Sequence, residues 1–125
     1  MATNPQYIGT PKSPSVIIST ANTNRDGTTG TYGTLMTAGA SGSRIDRIRV
    51  NATGSTTAGM IRFFVGTALV YELPVVAVTP SGTIPAWGAD VVFDNGLILQ
   101  SGAVVKVATN AAESFAVTVI SGGDF

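Results

Sequence analysis

The chain has no cysteine, no histidine and little charge. Its 125 residues carry seven basic and seven acidic side chains, 11% of the total, where an ordinary domain has about 25%. Each absence excludes something. Without cysteine there is no disulfide and no thiolate metal site. Without histidine or cysteine, neither a Ser-His-Asp nor a Cys-His nucleophile can be assembled. A net charge of zero exerts no general pull on nucleic acid or anionic lipid. Long apolar runs are missing too. The longest are strand-length, far below the roughly 20 residues of a membrane helix. Residues 1–10 show neither the apolar core nor the basic flank of a secretory signal.

What is present is 44% hydrophobic residues, enough for a real core in a single domain. A domain of this size buries roughly two-thirds of its unfolded surface. The remainder must be built largely of Thr, Ser, Asn, Gly and Ala. A protein that lives alone in solution usually carries more charge. The composition therefore points to a protein that ends up packed against other copies or other proteins.

Residues 1–14 hold Pro5, Pro11 and Pro14 and read as an extended N-terminal arm, because proline removes backbone donors and holds its predecessor extended. From residue 15 to 125 the pattern is that of one β domain. Ser15–Thr20 is β-branched, and Ala21–Gly33 is a long polar loop. Thr31–Thr37 follows as a strand, with Tyr32 and Leu35 as anchors. In Arg44–Ala52, Ile48, Val50 and Ala52 alternate with Arg47, Arg49 and Asn51, so the two sets face opposite ways. Met60–Val65 and Ala68–Leu73, joined by Gly66-Thr67, predict a hairpin. Pro74 marks a sheet edge or bend, and Val75–Val78 a short buried strand. Val91–Phe93 and Leu97–Leu99 flank Asp94-Asn95-Gly96, the strongest hairpin signal in the chain. Ala103–Thr109 and Phe115–Ile120 complete eight or nine strands with no helix. The expected architecture is an all-β antiparallel sandwich with jelly-roll-like topology.

Motifs for chemistry are sparse. Asp90 and Asp94, four apart on a strand, would stand roughly 13 Å apart, too far for a carboxylate pair at about 5 Å. Asn22, Asn24 and Asp26 alternate like the start of a calcium loop but lack the closing Glu, so self-capping Asx turns fit better. Gly27, Gly30 and Gly33 have no helix behind them to cradle a phosphate. No catalytic residue, cofactor or metal ligand is expected, and no small-molecule substrate. Arg44, Arg47, Arg49 and Arg62 cluster within 19 positions. Arg47 and Arg49 share a face, as a basic stripe, as a solvated face paired with Asp46 and Glu72, or as an ion-pairing subunit contact. Trp87, the only tryptophan, either plugs the end of the sandwich or stands exposed to anchor an interface or a sugar. The expected contact residues are Tyr7 and Ile8 on the arm, Arg47, Arg49 and Trp87.

Several strings are familiar together: Ala21-Asn22-Thr23-Asn24-Arg25-Asp26-Gly27-Thr28, Gly42-Ser43-Arg44-Ile45, Thr57-Ala58-Gly59-Met60-Ile61-Arg62, and the closing Gly122-Gly123-Asp124-Phe125. Over residues 15–125 the combination resembles small structural proteins of tailed bacteriophages. The resemblance implies a non-enzymatic virion component, a capsid cement or decoration protein at the capsid surface. Its partners would be the major capsid protein or other copies of itself. A tail-fibre or carbohydrate-binding receptor module is the alternative, leaning on Trp87 and Tyr71.

Overall fold

A computed structural model describes residues 8–125. The described chain is all-β, two antiparallel sheets packed face to face as a sandwich. The strands are β1 (Thr10–Pro11), β2 (Ser15–Ile18), β3 (Gly33–Thr37), β4 (Ser43–Ala52), β5 (Gly59–Val65), β6 (Ala68–Val75), β7 (Gly88–Leu99), β8 (Val104–Thr109) and β9 (Phe115–Asp124). The first sheet runs β1-β9-β4-β7, with β2 on the same side of β9 as a continuation of β1. The second runs β3-β8-β5-β6.

The pairing is nested. Strand β2 lies on β9, β3 on β8, β4 on β7 and β5 on β6. Folding this long double ribbon over on itself then adds the β4–β9 and β5–β8 ladders. Alternation in each strand supplies the core, since successive side chains point to opposite faces. Ile48, Val50 and Ala52 of β4 point inward with Phe115, Val117 and Val119 of β9, against Ile61 and Phe63 of β5 and Val105 and Val107 of β8.

Two expectations are corrected. The Asp94-Asn95-Gly96 segment does not turn a hairpin: the residues on both sides of it pair with the same strand, β4, in the registers Arg47↔Val92 and Ile45↔Leu97. The left-handed backbone at Asn95 and Gly96, which the sequence offers for a two-residue turn, instead makes a wide bulge inside one strand. Val75–Val78 is not a buried strand. Val75 ends β6, Val76 is exposed, and only a single bridge ties Val78 to Thr56. The described part of the N-terminal segment lies on its own domain. Gly9 and Lys12 donate backbone bonds to Asp124 and Gly122, Pro14 accepts one from Val119, and Lys12 pairs with Asp124.

The polar loop between β2 and β3 is a strap across the outer face of the second sheet. Arg62, Phe64 and Ala108 point away from the sandwich core yet are buried. Tyr32 stands edge-on to Phe64 at 5.1 Å. Lys106 donates to the Gly27 carbonyl at 2.6 Å and sits 4.7 Å from the Tyr32 ring centre. Arg25 reaches Glu72. Gly27 has φ 72°, and a Cβ there would meet the Thr67 carbonyl oxygen at 2.4 Å; one at Gly33 would meet Ile18 at 2.7 Å. Close approach, more than loop flexibility, accounts for those glycines.

Phe115 sits at the centre of the core and packs edge-on to Trp87. Phe115→Ala is expected to lower unfolding free energy by about 3–5 kcal/mol in urea titration, whereas Ile17→Ala on the exposed face should change it by less than about 0.5 kcal/mol.

Candidate docking face

Among the described residues the outer face of the first sheet has no counterpart to the strap. Its registers align Ile17, Ala116, Asn51 and Gly88 in one row and Ser15, Thr118, Arg49 and Asp90 in the next. Beyond these come Arg47 beside Val92, then Arg44 beside Ile98. Four large aliphatic side chains stand out from it: Ile17 is 69% exposed, Val92 60%, Ile98 60% and Ile120 53%. Among the described residues no element covers these aliphatics, and together they form an exposed apolar patch on one sheet face.

The charges of this face are tied to one another. Arg47 donates to Asp90 at 2.6 Å, Arg49 approaches the other Asp90 oxygen at 3.5 Å, and Arg44 donates to Asp46 at 2.7 Å. Arg49 also donates to the Asn51 side chain. The expected pairing of this face with Asp46 and Glu72 is therefore half met. Asp46 does serve it, through Arg44, but Glu72 lies in the other sheet, between Arg25 and Arg62. Asp90 is the partner that sequence reading overlooked; only the β4–β7 register, Arg49↔Asp90, brings it there. Elsewhere the pattern repeats. Arg62 is 5% exposed and donates to Glu72 at 2.9 Å. Lys106 is held by the strap and Lys12 by Asp124. Among the described residues every basic side chain has at least one hydrogen-bond or ion-pair partner.

The other expected contact residues separate. Tyr7 lies outside the described residues. Ile8 is half-buried and lines a groove of about 470 Å³ with Pro11, Lys12 and Ile120. Trp87 is a correction as a contact residue. It is 8% exposed, its ring perpendicular to Phe115 at 5.9 Å. The Ala52 N–H donates to the Trp87 carbonyl, extending the β4–β7 ladder by one bond, and strand alternation then puts Trp87 on the inward face with Ala89 and Val91. It offers no face to a sugar. Tyr71 is partly exposed, but its ring stands between Phe63 and Phe93.

Asn22, Asn24 and Asp26 close local turns. Asn22 accepts from the Asn24 backbone and side chain, and Asp26 accepts from Thr28 and from both groups of Thr29. Among the described residues no three acidic side chains come close enough to hold a metal ion. No family model, curated protein or solved structure matches the chain.

Hydrogen bonds and ion pairs lower four carboxyl pKa values. Thr29 and Thr28 act on Asp26, Arg62 and Arg25 on Glu72, Arg47 and Arg49 on Asp90, and Lys12 and Ser43 on Asp124. A carboxyl with a lower pKa folded than unfolded stabilises the fold above its unfolded value, about 4. That contribution fades as pH falls through the folded value. Thermal midpoints should therefore be level from about pH 7 to 5 and decline below about pH 4. Asp90→Asn should reduce that decline, as melting curves across the acid range would show.

Proposed function

We propose that the protein is a structural assembly component of a phage particle, a cement or decoration protein that stabilises the head by surface burial and performs no catalysis. The observation that carries this reading is the asymmetry of the sandwich. The strap buries Phe64, Arg62 and Ala108 on the outer face of one sheet, while among the described residues nothing covers the outer face of the other, which is left with four exposed aliphatics around charges already paired. Such a face gains by being covered, since buried apolar area stabilises by roughly 25 cal/mol per Å². Pre-paired charges spare a partner the need to supply counter-ions. The low charge and the resemblance of the turn segments to small phage structural proteins point the same way. The nested strand order supports the finer reading of the sandwich as a jelly roll, in which about eight strands wind as two Greek keys. The partner would be the major capsid protein or further copies of this chain, and the location the capsid surface.

Purified particles should carry the protein at fixed stoichiometry after density-gradient sedimentation. Particles from a deletion strain should lose their genome at a lower temperature. Deletion particles identical in composition and heat resistance would refute the reading.

A further inference from the structure

We propose that Asn95-Gly96 is a site of spontaneous covalent modification, where the asparagine side chain closes on the main chain, loses ammonia and becomes aspartate or isoaspartate. The site is independent of any assembly role. The step is an acyl substitution within the chain. The Gly96 backbone nitrogen gives its proton to hydroxide and attacks the Asn95 Cγ. The bond from Cγ to the side-chain nitrogen breaks, and that nitrogen leaves as ammonia with a proton from water. Water then opens the cyclic imide at either carbonyl. One opening gives aspartate, the other isoaspartate, whose main chain runs through the former side chain. One water is consumed, one ammonia is released, and no oxidant or reductant is needed.

Two conditions govern such a step: an unhindered attacking N–H, and freedom of both residues to rotate. Of the six asparagines, Asn95 alone precedes glycine. The others precede Thr23, Arg25, Ala52 and Ala111, whose Cβ crowds the nitrogen, or Pro5, which has no N–H. The second condition is met by the fold. Strand β7 ends its sheet, so one of its sides has no neighbour among the described residues. On the other side the register with β4 stops at Val92 and resumes at Leu97. Turning the bonds between Asn95 and Gly96 therefore breaks no register pair. Asn95 is exposed, and among the described residues its amide makes no hydrogen bond. The other described asparagines are tied: Asn22 to Thr31, Asn24 to Asn22, Asn51 to Arg49 and Asn110 to Met60.

The bulge also tolerates the products. Asn95 has φ 64°, and aspartate enters the left-handed region much as asparagine does. The extra main-chain carbon of isoaspartate falls where the strand already carries surplus residues. Each event turns a neutral amide into a carboxylate, ionised at neutral pH, and moves the net charge from zero to one negative. The charge arises in a segment packed on the Arg44–Asp46 pair, since a Cβ at Gly96 would meet Arg44 Nε at 2.5 Å and Asp46 Oδ1 at 3.0 Å.

The folded chain, held for weeks in mildly alkaline buffer, should accumulate an acidic species on isoelectric focusing. Peptide mapping with electron-transfer fragmentation should place aspartate and isoaspartate at residue 95. A site that needs no opening of the fold loses no reactivity to folding, so the rate should lie within about tenfold of that in concentrated urea. Asn95→Gln, whose longer side chain closes a larger ring far more slowly, should remove the species. Asn95→Asp, which keeps the backbone preference, should focus with the acidic species from the start, gain no further charge and keep the native circular dichroism. A folded chain protected beyond that tenfold margin overturns the proposal. So does an acidic species that maps to another asparagine, or that still forms in either variant.

Discussion

A two-sheet sandwich has four faces, and a chain of 125 residues must decide how to cover each. Two bury one another, since apolar faces of packed layers are stable only against each other. The remaining two are treated differently here. One receives the Ala21–Tyr32 strap, which buries Phe64 and the guanidinium of Arg62 beneath Tyr32, Gly27 and Arg25. The other receives no such cover from the described residues. The length of the β2–β3 connection sets the first outcome: it is long enough to cross one sheet before β3 begins, and among the described residues no comparable segment crosses the β1-β2-β9-β4-β7 sheet.

Scarcity of charge acts within the same frame. Fourteen charged side chains are spent largely on one another and on nearby backbone. Exposed ion pairs of this kind contribute little to stability individually. Their effect is on the field outside. Paired charges cancel at short range, leaving little to steer a charged partner from a distance. What this face presents outward is then mainly shape and apolar surface.

Strand existence was legible in the sequence, and strand pairing largely was not. Alternation in Arg47–Ala52 correctly separated Ile48, Val50 and Ala52 from Arg47, Arg49 and Asn51, because period-two patterning is local. The Gly66-Thr67 hairpin was legible for the same reason. Asp94-Asn95-Gly96 misled. Its backbone preference is the same whether the chain reverses or bulges, and only the presence of β4 alongside both flanks decides. Asp90 as partner of Arg47 and Arg49, and the strap over Phe64, depend on residues more than 40 positions apart. Nothing local encodes such proximity. Trp87 shows the ambiguity of a lone aromatic in a Pro-rich loop. The loop composition is that of a surface segment, but the residue sits in register with β7, and alternation with Ala89 and Val91 turns the ring inward.

The irregularities of the exposed sheet disfavour strand addition along its β7 edge. Buried positions in β4 run Ser43, Ile45, then Ile48, Val50 and Ala52; in β9 they run Phe115, Val117, Val119, then Gly122. Both strands slip by one residue at the same level, and β7 bulges by three residues beside them. The bulge places Asp94 and the left-handed Asn95 halfway along the free side of β7. An interrupted edge cannot template a long ladder, which is how proteins suppress edge-to-edge pairing. The opposite edge of the sheet is formed by the short strands β1 and β2, and one of the two edges of the second sheet, β6, carries Pro74, which lacks a donor. The same bulge that spoils the predicted hairpin thus interrupts the free edge of a sheet on whose outer face Ile17, Val92, Ile98 and Ile120 stand exposed.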